Sequence, residues 1–125
     1  MSKRHLSLYL VHWYRFEVFK VGVTTTPDRI RKHAATGGVL LQLIEPATTR
    51  QEREALRHLA FAFDRAFDSA DAAVPVLGSC GLGFTECFKV PNRHVIGAVE
   101  LASLGVLRGA DEENPVDQAR VLHQR

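Results

Sequence analysis

The stretch Phe19-Lys20-Val21-Gly22-Val23-Thr24-Thr25-Thr26-Pro27-Asp28-Arg29-Ile30-Arg31-Lys32-His33 constrains the fold more than any other part of this chain. An apolar run, a glycine and three threonines lead into a proline, an acid and a row of cations. The run over 18–23 is short and bounded by turn formers, so it reads as a strand. Pro27 suits the first position of a helix, where a missing N–H costs nothing. Thr25 or Thr26 supplies the cap, and Asp28 favours the positive end of the helix dipole. Gly37-Gly38 ends the helix. Arg29 and His33 then stand one turn apart on it.

A second strand precedes this segment. Residues 6–13 are rich in Leu, Tyr and Val, and the short gap at 14–17 implies an antiparallel pair. Downstream, residues 39–44 read as a strand stopped by Pro46. Thr48 or Thr49 caps the next helix, Thr49-Arg50-Gln51-Glu52 fits a capping box, and the helix runs to about Phe67. Leu56, Leu59, Phe63 and Phe67 recur at three- and four-residue steps and make its core stripe. Residues 69–83, with Pro75 and several glycines, read as a loop. Residues 84–90 alternate as a late strand. Asn92 caps a helix over 93–104, with Val95, Ile96, Val99 and Leu104 as its apolar positions. The order β-β-α-β-α-β-α predicts an α+β fold. Its sheet is small, mixed or antiparallel, with three or four strands flanked by helices. One domain spans 1–107, and 108–125 form a polar tail.

At 46% hydrophobic residues over 125 positions, one packed core is expected. No apolar run approaches the roughly 20 residues of a membrane helix, so no membrane partner is expected. Met1-Ser2-Lys3-Arg4-His5 leads into no apolar signal region, which makes cytoplasmic residence the expectation. Cys80 and Cys87 are too few for a zinc site, and a reducing compartment disfavours their pairing, so reduced, partly buried thiols are expected. A net charge of +2 does not by itself imply nucleic-acid binding. The distribution says more, because cations gather over 29–32 and recur at Arg50, Arg53 and Arg57.

Taken together, residues 6–90 resemble the GIY-YIG nuclease superfamily, with segment 19–33 as the most specific part. Lys20-Val21-Gly22 stands where most members have Tyr-Ile-Gly, as in divergent, phage-type branches. The resemblance implies a metal-dependent endonuclease that hydrolyses DNA phosphodiester bonds. Tyr9 matches the first-strand tyrosine that would activate water, and Lys20 would favour its ionised form and touch the phosphate. Gly22 would let a phosphate or metal approach the strand. Arg29, marked by His33 four residues on, would clamp the phosphate, with Arg31 as the secondary candidate, though it points about 200° away. Glu54 matches the metal-binding glutamate for Mg²⁺ or Mn²⁺, since His58 and Phe61 follow at the spacing of the divergent branches. Glu52 is its competitor, with Leu56 and Leu59 following. Glu86, in Phe84-Thr85-Glu86-Cys87-Phe88, takes a structural or site-bordering place. Arg53 and Arg57, with Arg50, form a basic row suited to a DNA backbone.

Residue type alone gives blander readings. Tyr9 packs across strands, Lys20 protects an edge, and the helix arginines and glutamates pair on the surface. These lead to a different class of function, a degenerate module that binds nucleic acid or a protein without cleaving. Nothing in the sequence resembles a separate DNA-targeting module. Specificity is therefore expected from a protein partner, a homodimer or the segment 69–83.

Overall fold

The computed structural model describes residues 5–78 and 81–113. Its sheet has four antiparallel strands in the order β3-β1-β2-β4. They are β1 (Ser7–Trp13), β2 (Val18–Thr24), β3 (Gly38–Ile44) and β4 (Cys87–Lys89). The helices are α1 (Asp28–Ala35), α2 (Thr49–Ala62), α3 (Ala70–Leu77) and α4 (Val95–Glu113). The α+β class with a small antiparallel sheet is as expected.

Every residue of β1 is buried, because helices cover both faces of the sheet. This explains why its sequence alternates poorly: both faces demand apolar side chains. Leu8 and Leu10 join Phe19 and Val21 of β2 under α2 and α4. Tyr9, Val11 and Trp13 join Val18 under α1 and α3. Lys20 and Gly22 alternate onto the same face as Val18, and the β1–β2 register sets Gly22 opposite Tyr9 with Lys20 on the diagonal.

Three helix boundaries differ from expectation. The capping box is set one residue earlier: Thr48 accepts from the Gln51 N–H at 3.1 Å, and Gln51 accepts from the Thr48 N–H at 2.9 Å. Thr49, with a similar side chain, fitted the same pattern by composition. Pro27 is itself the cap residue of α1, with no threonine hydroxyl bonded there. And α2 ends at Ala62, so Phe67 leaves the α2 stripe and packs under the opposite face.

The expected loop over 69–83 contains α3. Ser69 caps it by accepting from the Ala72 N–H at 3.2 Å. Pro75 removes one helical hydrogen bond, but Ala73, Val76 and Leu77 fill the sheet face, and that burial decides the local structure. The late strand is shorter than expected: Phe84–Glu86 form a 3₁₀ turn, and only Cys87–Lys89 pair.

α4 runs through Glu113, past the end expected near residue 104 and into the expected tail. Its buried side is Val95, Ala98, Ala102 and Val106, whereas Ile96 and Leu104 are exposed. Small residues, not large ones, face inward because α4 lies tight on α2. A Cβ on Gly105 would sit 2.5 Å from the Ala55 Cα, and one on Gly109 2.5 Å from the Gln51 Cα. Residues 114–125 of the expected tail lie outside the described residues.

Candidate functional site

A chain of polar side chains runs through the α1–α3 face of the sheet and out past its β4 edge. The Tyr9 hydroxyl lies 3.1 Å from His33 Nε2 and accepts from Lys20 Nζ at 3.1 Å. Lys20 Nζ also donates to Glu86 Oε1 at 2.8 Å. Glu86 in turn shares a hydrogen bond with Glu52. Five elements contribute one residue each: α1, β1, β2, the 3₁₀ turn before β4, and α2.

The fold fixes each position. Tyr9 and Gly22 are direct cross-strand partners. A Cβ on Gly22 would lie 2.4 Å from the Tyr9 hydroxyl and 2.6 Å from Lys20 Nζ. The space above this glycine therefore belongs to the phenol and the ammonium, which corrects the expectation that it stays open for a phosphate or metal. His33 is wedged between Tyr9 and Trp13, with ring centroids 5.6 and 5.2 Å away. Lys20 is the last residue of β2 that β4 pairs, so beyond it the strand edge is free for Glu86 and Glu52 to approach.

Burial sets the electrostatics. Tyr9, Lys20 and His33 are 0%, 1% and 2% exposed. Desolvation pushes the Tyr9 phenol above its ordinary value, although Lys20 and Arg29 pull it down. The expected easy ionisation of Tyr9 beside Lys20 is thus outweighed by burial. Desolvation works against the Lys20 ammonium too, but Tyr9 and Glu86 hold its pKa above the ordinary value, so it stays charged. His33 falls to about 4 through desolvation and the nearby cations Lys20 and Arg29. Neutral His33 can accept the Tyr9 proton at Nε2, which completes a directed series from Lys20 through Tyr9 to His33. Its Nδ1 has no partner.

At the outer end, Glu52 is driven up to about 7 by desolvation and by the adjoining Glu86 carboxylate. Its Oε2 is buried without a hydrogen-bond partner. Two touching carboxylates cannot both be ionised cheaply, so they share a proton or a cation.

The other expected site residues divide clearly. Arg29 is exposed on α1, and its charge acts on both Tyr9 and His33. Arg31 pairs with Asp28 on the surface of α1. Glu54 is not brought to the cluster. Arg57 holds its carboxylate at 3.0 Å and keeps it below the ordinary range, with His58 and Arg108 as further charged neighbours. His58 binds the backbone carbonyl of Glu54 through Nδ1, and Phe61 is 81% exposed. The Glu54-His58-Phe61 face thus turns toward α4 and solvent, while Glu52, two residues earlier, turns toward Glu86. Arg53 and Arg57 line a cleft next to Glu86, together with Arg65, which the sequence reading left out. Arg65 could have been found only through its pairing with Phe88, a long-range bridge.

Cys87 is a free, buried thiol pushed up to about 12 by desolvation, so it is chemically quiet at neutral pH. Cys80 lies outside the described residues. No helix of the described residues is long and apolar enough to cross a membrane. Among the described residues, no three His, Cys, Asp or Glu side chains are grouped to hold a metal ion. Comparison with models of known protein families, with curated proteins and with solved structures finds no match.

Proposed function

We propose that this chain is a divalent-metal-dependent endonuclease of the GIY-YIG type acting on DNA. The observation that carries the reading is the convergence of His33, Tyr9, Lys20, Glu86 and Glu52 from five elements, with the charge of Arg29 acting on Tyr9 and His33. Core packing alone does not ask for a buried lysine, two carboxylates and an orphaned oxygen.

The metal position falls to Glu52, with Glu86 beside it, in place of Glu54. Two adjoining carboxylates with one buried, unpartnered oxygen suit Mg²⁺ or Mn²⁺. Such ions keep several waters and take further ligands from a phosphate, so two protein oxygens suffice. When bound, the cation neutralises charge on the leaving oxygen. Arg29 binds the scissile phosphate and stabilises its added charge as water attacks phosphorus and the P–O bond breaks. The water's proton passes to the Tyr9 oxygen as the Tyr9 proton moves onto His33 Nε2. Lys20 holds Tyr9 and Glu86 in register. The route requires a water beside the Tyr9 hydroxyl, which the near-zero exposure of Tyr9 makes its most demanding step. Target specificity would come from a protein partner or a second copy.

That same burial favours one other reading, a non-cleaving module in which the cluster is purely structural. Supercoiled plasmid and labelled single- and double-stranded DNA, incubated with Mg²⁺, Mn²⁺ or EDTA, separate the two. Metal-dependent nicking that Glu52→Gln abolishes supports the nuclease. Absence of cleavage under every condition, with DNA still bound, supports the module.

A further inference from the structure

Past Glu86 the polar cluster opens into a cleft of about 610 Å³. Arg53 and Arg57 line it from α2, one turn apart, which sets them about 6 Å apart along the helix axis. Arg65 enters from the segment after α2, where one backbone bridge to Phe88 ties it to β4. All three arginines are exposed. The apolar lining includes Phe63, half-buried against the core, and Leu56, with Phe88 buried beneath them.

The cleft's two acids do not cancel this charge. Lys20 answers Glu86 from inside the protein at 2.8 Å, which leaves Asp64 as the one lining carboxylate facing three guanidinium groups. Glu54 engages Arg57 through Nη2, and a guanidinium has further donors to offer. Guanidinium groups spaced along a groove with an aromatic base are the arrangement that tracks a phosphate backbone while unpaired bases stack. A duplex keeps its base faces in its own stack and could not use Phe63.

We propose that this cleft is a binding path for single-stranded DNA, with successive phosphates on Arg53, Arg57 and Arg65 and bases against its apolar side. The path ends at Glu86 and Glu52, so a strand lying in it enters the cluster from its exposed end. The inference deepens the nuclease reading and rests on it for the purpose of the path, but its test needs no cleavage.

Fluorescence anisotropy, in EDTA, of a labelled 15-nucleotide oligothymidylate and of a 15-base-pair duplex tests it across a series of NaCl concentrations. The protein should bind the single strand at least about tenfold more tightly than the duplex. Log Kd against log salt should rise with a slope of about 2, from three phosphates at roughly 0.7 each. Arg53→Gln/Arg57→Gln/Arg65→Gln should bring that slope near zero. Should the triple variant fail to fold by circular dichroism, Arg53→Gln/Arg57→Gln, at two exposed helix positions, should lower the slope by about 1.4. Equal or tighter binding of the duplex, no binding of the single strand, or an unchanged slope in the variants overturns the path. Cleavage without such binding sinks the path alone, and such binding without cleavage sinks the nuclease alone.

Discussion

Gly22 sits directly opposite Tyr9 in the β1–β2 ladder, and the phenol of Tyr9 fills the place where its side chain would be. The glycine is part of the same packing unit as the tyrosine. Gly22→Ala puts a methyl 2.4 Å from the hydroxyl and must displace Tyr9 or Lys20. The expected cost is about 1–3 kcal/mol, read as a lowered urea midpoint. Combined with Tyr9→Leu, the loss should fall short of the sum of the two single losses, because they contest one space. Strict additivity would mean that the two do not share it.

Glu52 and Glu54 are two residues apart on α2 and face different surroundings. Glu52→Gln should abolish metal-dependent cleavage and weaken Mn²⁺ binding measured by calorimetry. Glu54→Gln should leave both within a few-fold of wild type, since its carboxylate engages only Arg57 by hydrogen bond among the described residues. The reverse pattern would return the metal to Glu54.

In the proposed site, protons and metal would compete for Glu52. It titrates near 7 in the folded protein against 4.5 as its ordinary value, so the folded state holds an extra proton between these values. The associated stability is full below about 4.5 and is lost as pH rises through about 7. Glu52→Gln should flatten that decline in urea titrations. His33 has the opposite sign: its value falls from 6.5 to about 4, so its contribution is full above 6.5 and is lost as pH drops toward 4. Mn²⁺ affinity should rise through about pH 7 with release of one proton, seen as a buffer-dependent binding enthalpy. A pH-independent affinity would remove Glu52 from the metal position.

Lys20→Met keeps the volume and removes the charge. It strands Glu86 beside Glu52 and deprives Tyr9 of its donor. Removing one partner of a fully buried pair costs about 3–5 kcal/mol. Glu86 is 29% exposed, so water screens part of its charge, and about 2–3 kcal/mol is expected in chemical denaturation. A neutral result would make the lysine dispensable to the fold and leave its purpose entirely chemical.

The strand–turn–helix of β2 and α1 was legible because its signals are local: a short apolar run, a proline, and a glycine pair. The pairing of Tyr9 with Lys20 was expected only through the family resemblance, and the contact of His33 with Tyr9 appears only once α1 is packed on the sheet. What stayed hidden depended on distant packing. Phe67 looked like part of the α2 stripe because periodicity continued past a helix end set elsewhere. α3 looked like a loop because Pro75 and the glycines outweighed an apolar stripe whose partner surface is a remote sheet face. Glu54 was preferred to Glu52 on the spacing of His58 and Phe61, because either glutamate suits a helix surface and only the position of Glu86, more than thirty residues away, sets Glu52 apart. Arg65 carries no local signal at all.

The glycines of α4 have a longer reach than their place at the back of the molecule suggests. Gly105 and Gly109 let α4 press against the backbone of Ala55 and Gln51, and Gln51 Nε2 donates to the Val106 carbonyl at 3.3 Å. α2 carries Glu52 on one flank and the cleft arginines on another, so its distance from the sheet is a shared coordinate for both. A side chain added at either glycine acts as a shim: it lifts α2 and moves carboxylate and guanidinium groups together. A seam at the back of the molecule thereby sets the alignment of the carboxylate and guanidinium groups at its front.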